Sequence, residues 1–167
     1  MTEPIRDRPL VPEGYGTPQT DDGLLDWMAV EERLRASLHY WLATTRPDGT
    51  PHVVPRWGVW LDGRYWYDGS PETLHVKNLG HDSNCVLHLE DGREVVIVEG
   101  RSDVATPPGP ELGARLSEAM TAKYGALGYS PGPDSWEGPG SGGLRVLTPV
   151  KAIAWFDFPI DMTRFRF

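Results

Sequence analysis

"LATTRPDGTPHVVPRWGVWLDGRYWYDGS", residues 42–70, decides how this chain is read. Aromatic and β-branched residues run through it, and two turn signals, PDG at Pro47–Gly49 and LDG at Leu61–Gly63, divide it into a meander of three strands. The middle strand is unusual because it carries Pro51, Pro55 and Gly58, the last flanked by tryptophans. A proline inside a strand belongs at an edge or a bulge, and a glycine there often marks where a ligand or another backbone comes close. One side of this strand's backbone is therefore expected to stay partly free. In "VVPRW" the N–H and C=O groups that no ladder occupies can meet the polar edge of a flat heterocycle, with Trp57, Trp60 and Val54 as apolar surface. The plainer alternative is a barrel strand that bends at Pro55 and sends its tryptophans into the core.

Around this stretch the elements follow in order. Residues 1–22, rich in Pro, Gly and charge, are expected to be an extended arm, either mobile or laid across a partner subunit. Residues 23–167 form the domain. Leu25, Met28, Leu34 and Leu38 recur at near-helical spacing among Glu31, Glu32, Arg33 and Arg35, which predicts an amphipathic helix. Ser70 followed by Pro71 predicts a helix start, running to about Leu79 or Gly80. "CVLHLEDGREVVIVEGRSDVA" is a hairpin turned at Asp91 and Gly92, with Val95–Val98 as an unbroken buried run. "PELGARLSEAMTAKYG" is another amphipathic helix, residues 125–142 are a long functional or mobile loop, and "LRVLTPVKAIAWFDF" closes the sheet. Strand alternation places Arg164 and Arg166 of the final "TRFRF" on one face and Phe165 on the other. Many short strands with few helices between them predict a mainly β fold, an antiparallel sheet closing into a small barrel with flanking helices.

The totals bound the function. A chain of 167 residues fits one domain. Its 16 Lys and Arg against 24 Asp and Glu leave a formal charge of -8, which repels phosphate backbones and anionic membranes, so nucleic acid and membrane are not expected partners. One cysteine, Cys85, permits neither an internal disulfide nor a CxxC pair, which fits a cytoplasmic setting. The N-terminus "MTEPIRDRPLVPEGYG" shows no apolar run suited to a signal peptide. His39, His52, His75, His81 and His88 are scattered without the HxxxH spacing of a zinc hydrolase, so no metal site is expected. No GxSxG occurs, and the glycines of 138–143 lack the GK[ST] that gives a phosphate loop its mechanism. Catalytic residues of the acid, base or nucleophile kind are not identifiable.

The order of helix, "WLATTRPDGTPHVVPRWGVWLDG", "YWYDGSPETLHVKNL", "VLHLEDGREVVIVEG" and terminal "TRFRF" closely resembles the flavin and deazaflavin oxidoreductases of the split β-barrel superfamily, the FMN-binding relatives of pyridoxamine 5'-phosphate oxidase. Its nearest branch is the coenzyme F-420 dependent group. The resemblance runs from about residue 26 to the C-terminus. It implies a cofactor ring against "PHVVPRW", contacted through backbone groups of Val53, Val54, Pro55, Arg56 and Trp57, and a phosphate at the helix of "ETLHVKNL", held by Thr73, His75, Lys77 and Asn78. Family members often carry Lys or Arg at the position of His75, so the phosphate grip is expected to be weaker or pH-dependent, a free His titrating near ~6.5. Arg46 and Arg56 are candidates for the acidic tail of a deazaflavin, Arg164 and Arg166 for the partner subunit or that tail, with a plain edge strand of solvent-facing arginines as the alternative, and Trp57, Trp60, Tyr124 and Trp155 for the walls of a substrate pocket. The implied protein is a homodimeric oxidoreductase, using the deazaflavin coenzyme F-420 in preference to FMN, on a small-molecule substrate. A non-catalytic carrier of flavin, deazaflavin or haem is the alternative, and a pyridoxamine phosphate oxidase proper is a third.

Overall fold

The computed structural model describes residues 3–138 and 143–167. Nine strands and three α-helices follow in the order β1 (Ile5–Asp7), α1 (Trp27–Ala36), β2 (Tyr40–Thr45), β3 (Pro51–Arg56), β4 (Val59–Leu61), β5 (Arg64–Tyr67), α2 (Leu74–His81), β6 (Asn84–His88), β7 (Val95–Val104), α3 (Pro110–Tyr124), β8 (Arg145–Trp155) and β9 (Thr163–Arg166). All pairings are antiparallel, in the order β1-β9-β8-β7-β6-β2-β3, with β5 joined to β8 and β4 to β5. The sheet thus curls until β3 and β5 approach each other without pairing. This is the expected mainly β, split-barrel architecture, with helices at its flanks.

The turns hold as the sequence implies. Asp48 accepts from the Thr50 N–H and hydroxyl at 2.9 and 2.6 Å, closing the β2–β3 hairpin. Asp62 (φ 52°) and Gly63 (φ 66°) both take the left-handed region, the two-residue turn that matches strand twist between β4 and β5. Asp91 accepts from the N–H groups of Arg93 and Glu94 at the β6–β7 turn.

Four details differ from the sequence reading. First, the meander has four strands, because Trp57 and Gly58 interrupt the ladder between β3 and β4. Second, the buried stripe of α1 is Trp27, Val30 and Leu34, while Met28 and Leu38 are exposed. The helix starts at Trp27, two residues after Leu25, and its inward face follows Trp27, Val30 and Leu34 rather than a stripe through Met28 and Leu38. Third, only Val96 and Val98 of the Val95–Val98 run are fully buried, since the outer face of β7 carries no helix. Fourth, in α2 the first helical residue is Leu74 and Thr73 is the cap position; Ser70 instead closes the preceding turn, its carbonyl receiving the Thr73 N–H at 3.1 Å.

The core has two parts. Trp27, Val30 and Leu34 of α1 pack on Leu42, Leu87, Val96, Val98, Ala152, Ala154 and Phe165. Leu116, Met120 and Tyr124 of α3 pack on Val59, Trp66, Trp136 and Leu144. The β4–β5 hairpin serves both, with Trp60 and Tyr65 facing α1 and Val59 and Trp66 facing α3. Consecutive residues are buried there because both faces of the hairpin are covered.

The N-terminal arm pairs with its own chain. Strand β1 adds to β9, and Asp7 receives Arg164 at 2.7 and 2.9 Å and Arg166 at 2.8 Å, while Phe165 is buried on the other face. These arginines hold the Asp7 carboxyl below the usual carboxylate range. Gly58 explains its own identity: a Cβ there would lie 2.5 Å from the Trp66 carbonyl and the Tyr65 ring. Gly58→Ala is therefore expected to destabilise by about 2 to 3 kcal/mol. Gly80→Ala, in α2 with no heavy atom within 4 Å of a Cβ, should stabilise by about 0.5 to 1 kcal/mol. Urea unfolding of the two variants reads both signs.

Candidate functional site at the barrel seam

The placement of prolines in β3 follows from the ladder. Arg46 and Thr50 form a hydrogen-bonded pair (Arg46 N–H to Thr50 carbonyl, 2.9 Å), and antiparallel ladders alternate, so His52, Val54 and Arg56 are the residues that bond to β2. Pro51, Val53 and Pro55 point their backbone groups the other way, into the gap toward β5. Both prolines thus lack an N–H only where no strand would receive it. The Arg46 guanidinium takes the Pro51 carbonyl at 3.0 Å. Among the described residues, the Val53 N–H and C=O and the Pro55 C=O have no ladder partner. The Val53 side chain is 52% exposed beside them.

Side chains bridge the gap where the ladder does not. Arg56 donates to the Asp68 carbonyl at the end of β5, and the Tyr65 hydroxyl donates to the Trp57 carbonyl at 3.1 Å. Tyr124 reaches in from α3; its hydroxyl accepts the Gly58 N–H at 2.9 Å and lies 2.8 Å from the Gly58 and Leu38 carbonyls. Trp57, 37% exposed, stacks on the Tyr124 ring (4.8 Å, 6°) with Tyr129 tilted beside it. This is an aromatic wall at the end of a free strand edge. Lys123 sits against it, its ammonium 2.6 Å from the Tyr40 hydroxyl and 3.3 Å from the Gly58 carbonyl, and burial lowers its pKa to about 8.

The predicted pocket aromatics do not all meet. Trp57 and Tyr124 do, but Trp60 is buried in the α1 core with its indole N–H on Glu31 (3.0 Å), and Trp155 packs on Phe158. Trp60 points away because strand alternation in β4 turns it to the face opposite Val59. Arg164 and Arg166 are engaged by Asp7 rather than turned to the seam.

The four residues expected around a phosphate divide between two places. Thr73 and Lys77 lie outside: Thr73 donates to the Ser70 carbonyl, and Lys77, exposed, pairs with Glu72 at 3.0 Å. His75 and Asn78 lie inside, 3% and 1% exposed, on the face of α2 that caps the barrel. Asn78 donates to Thr44 at 3.0 Å, which itself lies 3.5 Å from His52. Three buried polar atoms here have no partner: Arg56 Nε, His75 Nε2 and Asn78 Oδ1. Helical spacing separates the pairs, positions 75 and 78 facing in and 77 facing out.

Residues the sequence reading passed over complete the site. Arg145, buried at the start of β8, donates to the Ser102 carbonyl at 2.8 Å and hydroxyl at 3.3 Å, with Tyr67 bonded to the same hydroxyl at 2.7 Å. Its inward position was legible in the alternation Arg145, Leu147, Pro149. Asp68 accepts from the Tyr129 hydroxyl and from the Trp136 indole N–H at 2.8 Å. The loop expected to be functional or mobile is thereby fastened as far as residue 138, with Trp136 fully buried; residues 139–142 lie outside the described residues. Among the described residues no three His, Cys, Asp or Glu side chains cluster as a metal site, and no helix is long and apolar enough to cross a membrane.

Residues 27–156 match the model of the family described as pyridoxamine 5'-phosphate oxidase. The chain belongs to this family. No curated protein matches it significantly in sequence. Among solved structures, a conserved hypothetical protein from Mycobacterium tuberculosis is similar at 20% identity and TM-score 0.64, over 83% of this chain and 89% of that one. An F-420 reductase matches at 21% identity and TM-score 0.55, over 85% and 98% of the two chains. The haem storage protein from Vibrio cholerae matches at 18% identity and TM-score 0.57, over 73% and 88%. At these identities the likeness is one of fold.

His75 corrects the expected titration near 6.5. Burial, and after it the charges of Arg56, His52 and Arg145, lower its pKa to about 4, so the ring is neutral at physiological pH. A depressed histidine binds its proton more readily in the unfolded chain. Its contribution is therefore intact above about pH 6.5 and is lost as pH falls toward about 4, by on the order of 3 kcal/mol. His75→Gln should flatten the dependence of the urea midpoint on pH across this window.

Proposed function

We propose that this protein is an oxidoreductase that binds a flavin-type cofactor at the β3 edge, deazaflavin coenzyme F-420 in preference to FMN, and passes a hydride to or from a small organic substrate. The observation that carries the reading is the free donor and acceptor of Val53 on an edge that ends in the exposed Trp57. A planar heterocycle with its own donor and acceptor fits such an edge, and the unpartnered buried atoms of Arg56 and His75 fit a family whose cofactors carry phosphate. The bound cofactor supplies the hydride chemistry, so no nucleophile or triad is required.

In this reading Val53, Val54, Pro55, Arg56 and Trp57 hold the ring. Thr73 and Lys77 receive the phosphate at the start of α2, where unpaired N–H groups and the helix dipole favour an anion. His75 and Asn78 brace that helix from the inside. Trp57, Tyr124 and Tyr129 exclude water from one side of the ring and wall the substrate space.

The same reading proposes a homodimer. The outer face of the sheet carries no helix, and register aligns Val53, Ala43 and Val86 in one row and Pro55, Trp41, His88, Ile97 and Ile153 in the next. A groove of about 590 Å³ crosses this face, lined by Ala43, Pro51, Val86 and Val150 together with Thr45, Asn84, Glu99 and Arg101. The apolar rows of this face, with polar groups at their margin, are expected to be covered by a second copy.

A carrier is the second reading, favoured by half-buried His52 on β3, an imidazole at the seam of the kind that ligates haem.

Fluorescence titration with oxidised and reduced F-420, FMN and haemin separates these readings. Micromolar binding of the deazaflavin with turnover of a screened acceptor is the expected result, and haemin binding alone would replace the enzyme by the carrier. Lys77→Ala should weaken deazaflavin binding by about 1 to 2 kcal/mol, the lower end of a charged hydrogen bond because Glu72 already competes for the ammonium. Ala43→Arg should shift the molar mass in light scattering from dimer to monomer.

A further inference from the structure

Of the chain's three lysines, two are ion-paired and one is not. Lys77 meets Glu72 at 3.0 Å and Lys151 meets Glu99 at 2.7 Å. Lys123, near the end of α3, is half-buried, and among the described residues no carboxylate lies within ion-pair distance of its ammonium. Its hydrogen bonds go to neutral oxygens, the Tyr40 hydroxyl at 2.6 Å and the Gly58 carbonyl at 3.3 Å, which leaves one of its three N–H donors over. The titratable groups that face it are Tyr40 from β2, whose ring centroid is 4.7 Å away, and Tyr124 from its own helix, at 5.7 Å. The break between β3 and β4 offers it only the Gly58 carbonyl, and α1 offers the Leu34 carbonyl that holds the Tyr40 hydroxyl. Both attachments lead to Trp57. Gly58 follows that residue in the chain, and Tyr124 stacks on its indole at 4.8 Å and 6°. The exposed indole thus stands as a flat apolar face beside a cation that lacks an acid.

Leaving water is costly for an ammonium, and neutral oxygens and aromatic faces return that cost only in part. A carboxylate would take the free N–H in a charge-assisted hydrogen bond, and a planar ring attached to it would cover the indole by stacking. We propose that the wall formed by Trp57 and Lys123 binds a planar aromatic or conjugated carboxylate, its ring on the Trp57 indole and its anion on the Lys123 ammonium. That such a molecule is the substrate rests on the cofactor lying at the β3 edge; that it binds does not.

The test is calorimetric titration of the full chain, at constant ionic strength, with 4-nitrobenzoate and its neutral twin 4-nitrobenzamide. The carboxylate is expected to bind about tenfold tighter than the amide, the size of a charged hydrogen bond. Lys123→Met should remove this preference, and Arg93→Ala on the exposed β6–β7 turn should leave it unchanged. Trp57→Leu should weaken both compounds by about threefold, through lost stacking. Burial lowers the Lys123 pKa to about 8, whereas it raises Tyr40 and pushes Tyr124 up to about 12, so only the lysine changes charge near neutrality. The preference for the carboxylate should therefore fall as pH rises past about 8, where the ammonium loses its proton. Circular dichroism reports whether the variants fold; should Lys123→Met not fold, the pH dependence in the wild-type chain and the effect of Trp57→Leu decide. Equal binding of the two compounds by the wild-type chain, no binding of the carboxylate, or a preference that survives Lys123→Met overturns the proposal. A separate titration with F-420 keeps the readings apart. F-420 binding without carboxylate binding defeats this site alone, and carboxylate binding without F-420 binding upholds the site while removing the cofactor reading.

Discussion

The barrel does not close between β3 and β5, and most of what is particular to this protein follows from that gap. A closed ladder would have used the outward backbone groups of Pro51, Val53 and Pro55, and prolines could not have stood there. Because the gap is left open, side chains span it instead. Arg56 reaches the Asp68 carbonyl, Tyr65 the Trp57 carbonyl, and Tyr124 both backbone groups of Gly58. These bridges hold the two edges near each other while Val53 keeps a free donor and acceptor. Gly58 permits the approach, since any side chain would meet Tyr65 and the Trp66 carbonyl.

Asp68 ties the seam to the rest of the site. Its carbonyl holds Arg56, and its carboxylate gathers Tyr129 and Trp136, so the glycine-rich segment after α3 is fastened to the end of β5. The same residue opens the turn that leads into α2. The aromatic wall, the bridging arginine and the start of the helix therefore share one anchor. Burial of Trp136 adds apolar stabilisation to these polar contacts, which explains why a segment of such composition is ordered.

Helix α2 divides polar chemistry by side. Its outer surface carries Lys77 in an exposed ion pair of small energetic value. Its inner surface carries neutral His75 and Asn78 into a space shared with Arg56 and Arg145. One short helix thus presents an exchangeable cation to solvent and closes an interior that is rich in donors. Family membership accounts for the barrel and its helices.

Much of the fold was legible in residues 42–70. Turn chemistry at Asp48 and at Asp62–Gly63, strand alternation, and prolines that only an edge tolerates point to a mainly β chain with one backbone side free, and each is a local property of consecutive residues. Alternation likewise placed Phe165 opposite Arg164 and Arg166. What local pattern does not carry is the partner of each outward group. That Asp7 would take both terminal arginines, that Trp60 would turn from Trp57, and that His75 would be neutral inside while Lys77 stays outside depend on rotations of whole elements. Helix α1 shows the reason: whether Met28 or Trp27 and Val30 enter the core depends on the rotation of the helix about its axis, which its packing on the sheet sets. Sequence by itself determined the mainly β character, the turns and the proline-marked edge, because these are set by backbone sterics within a few residues, while the break at Trp57–Gly58 and the pairing of β1 were not local. Only the tertiary structure decided which charges are buried and what faces them, because desolvation and charge pairing are properties of groups brought together from β3, β5, α2, β7 and β8.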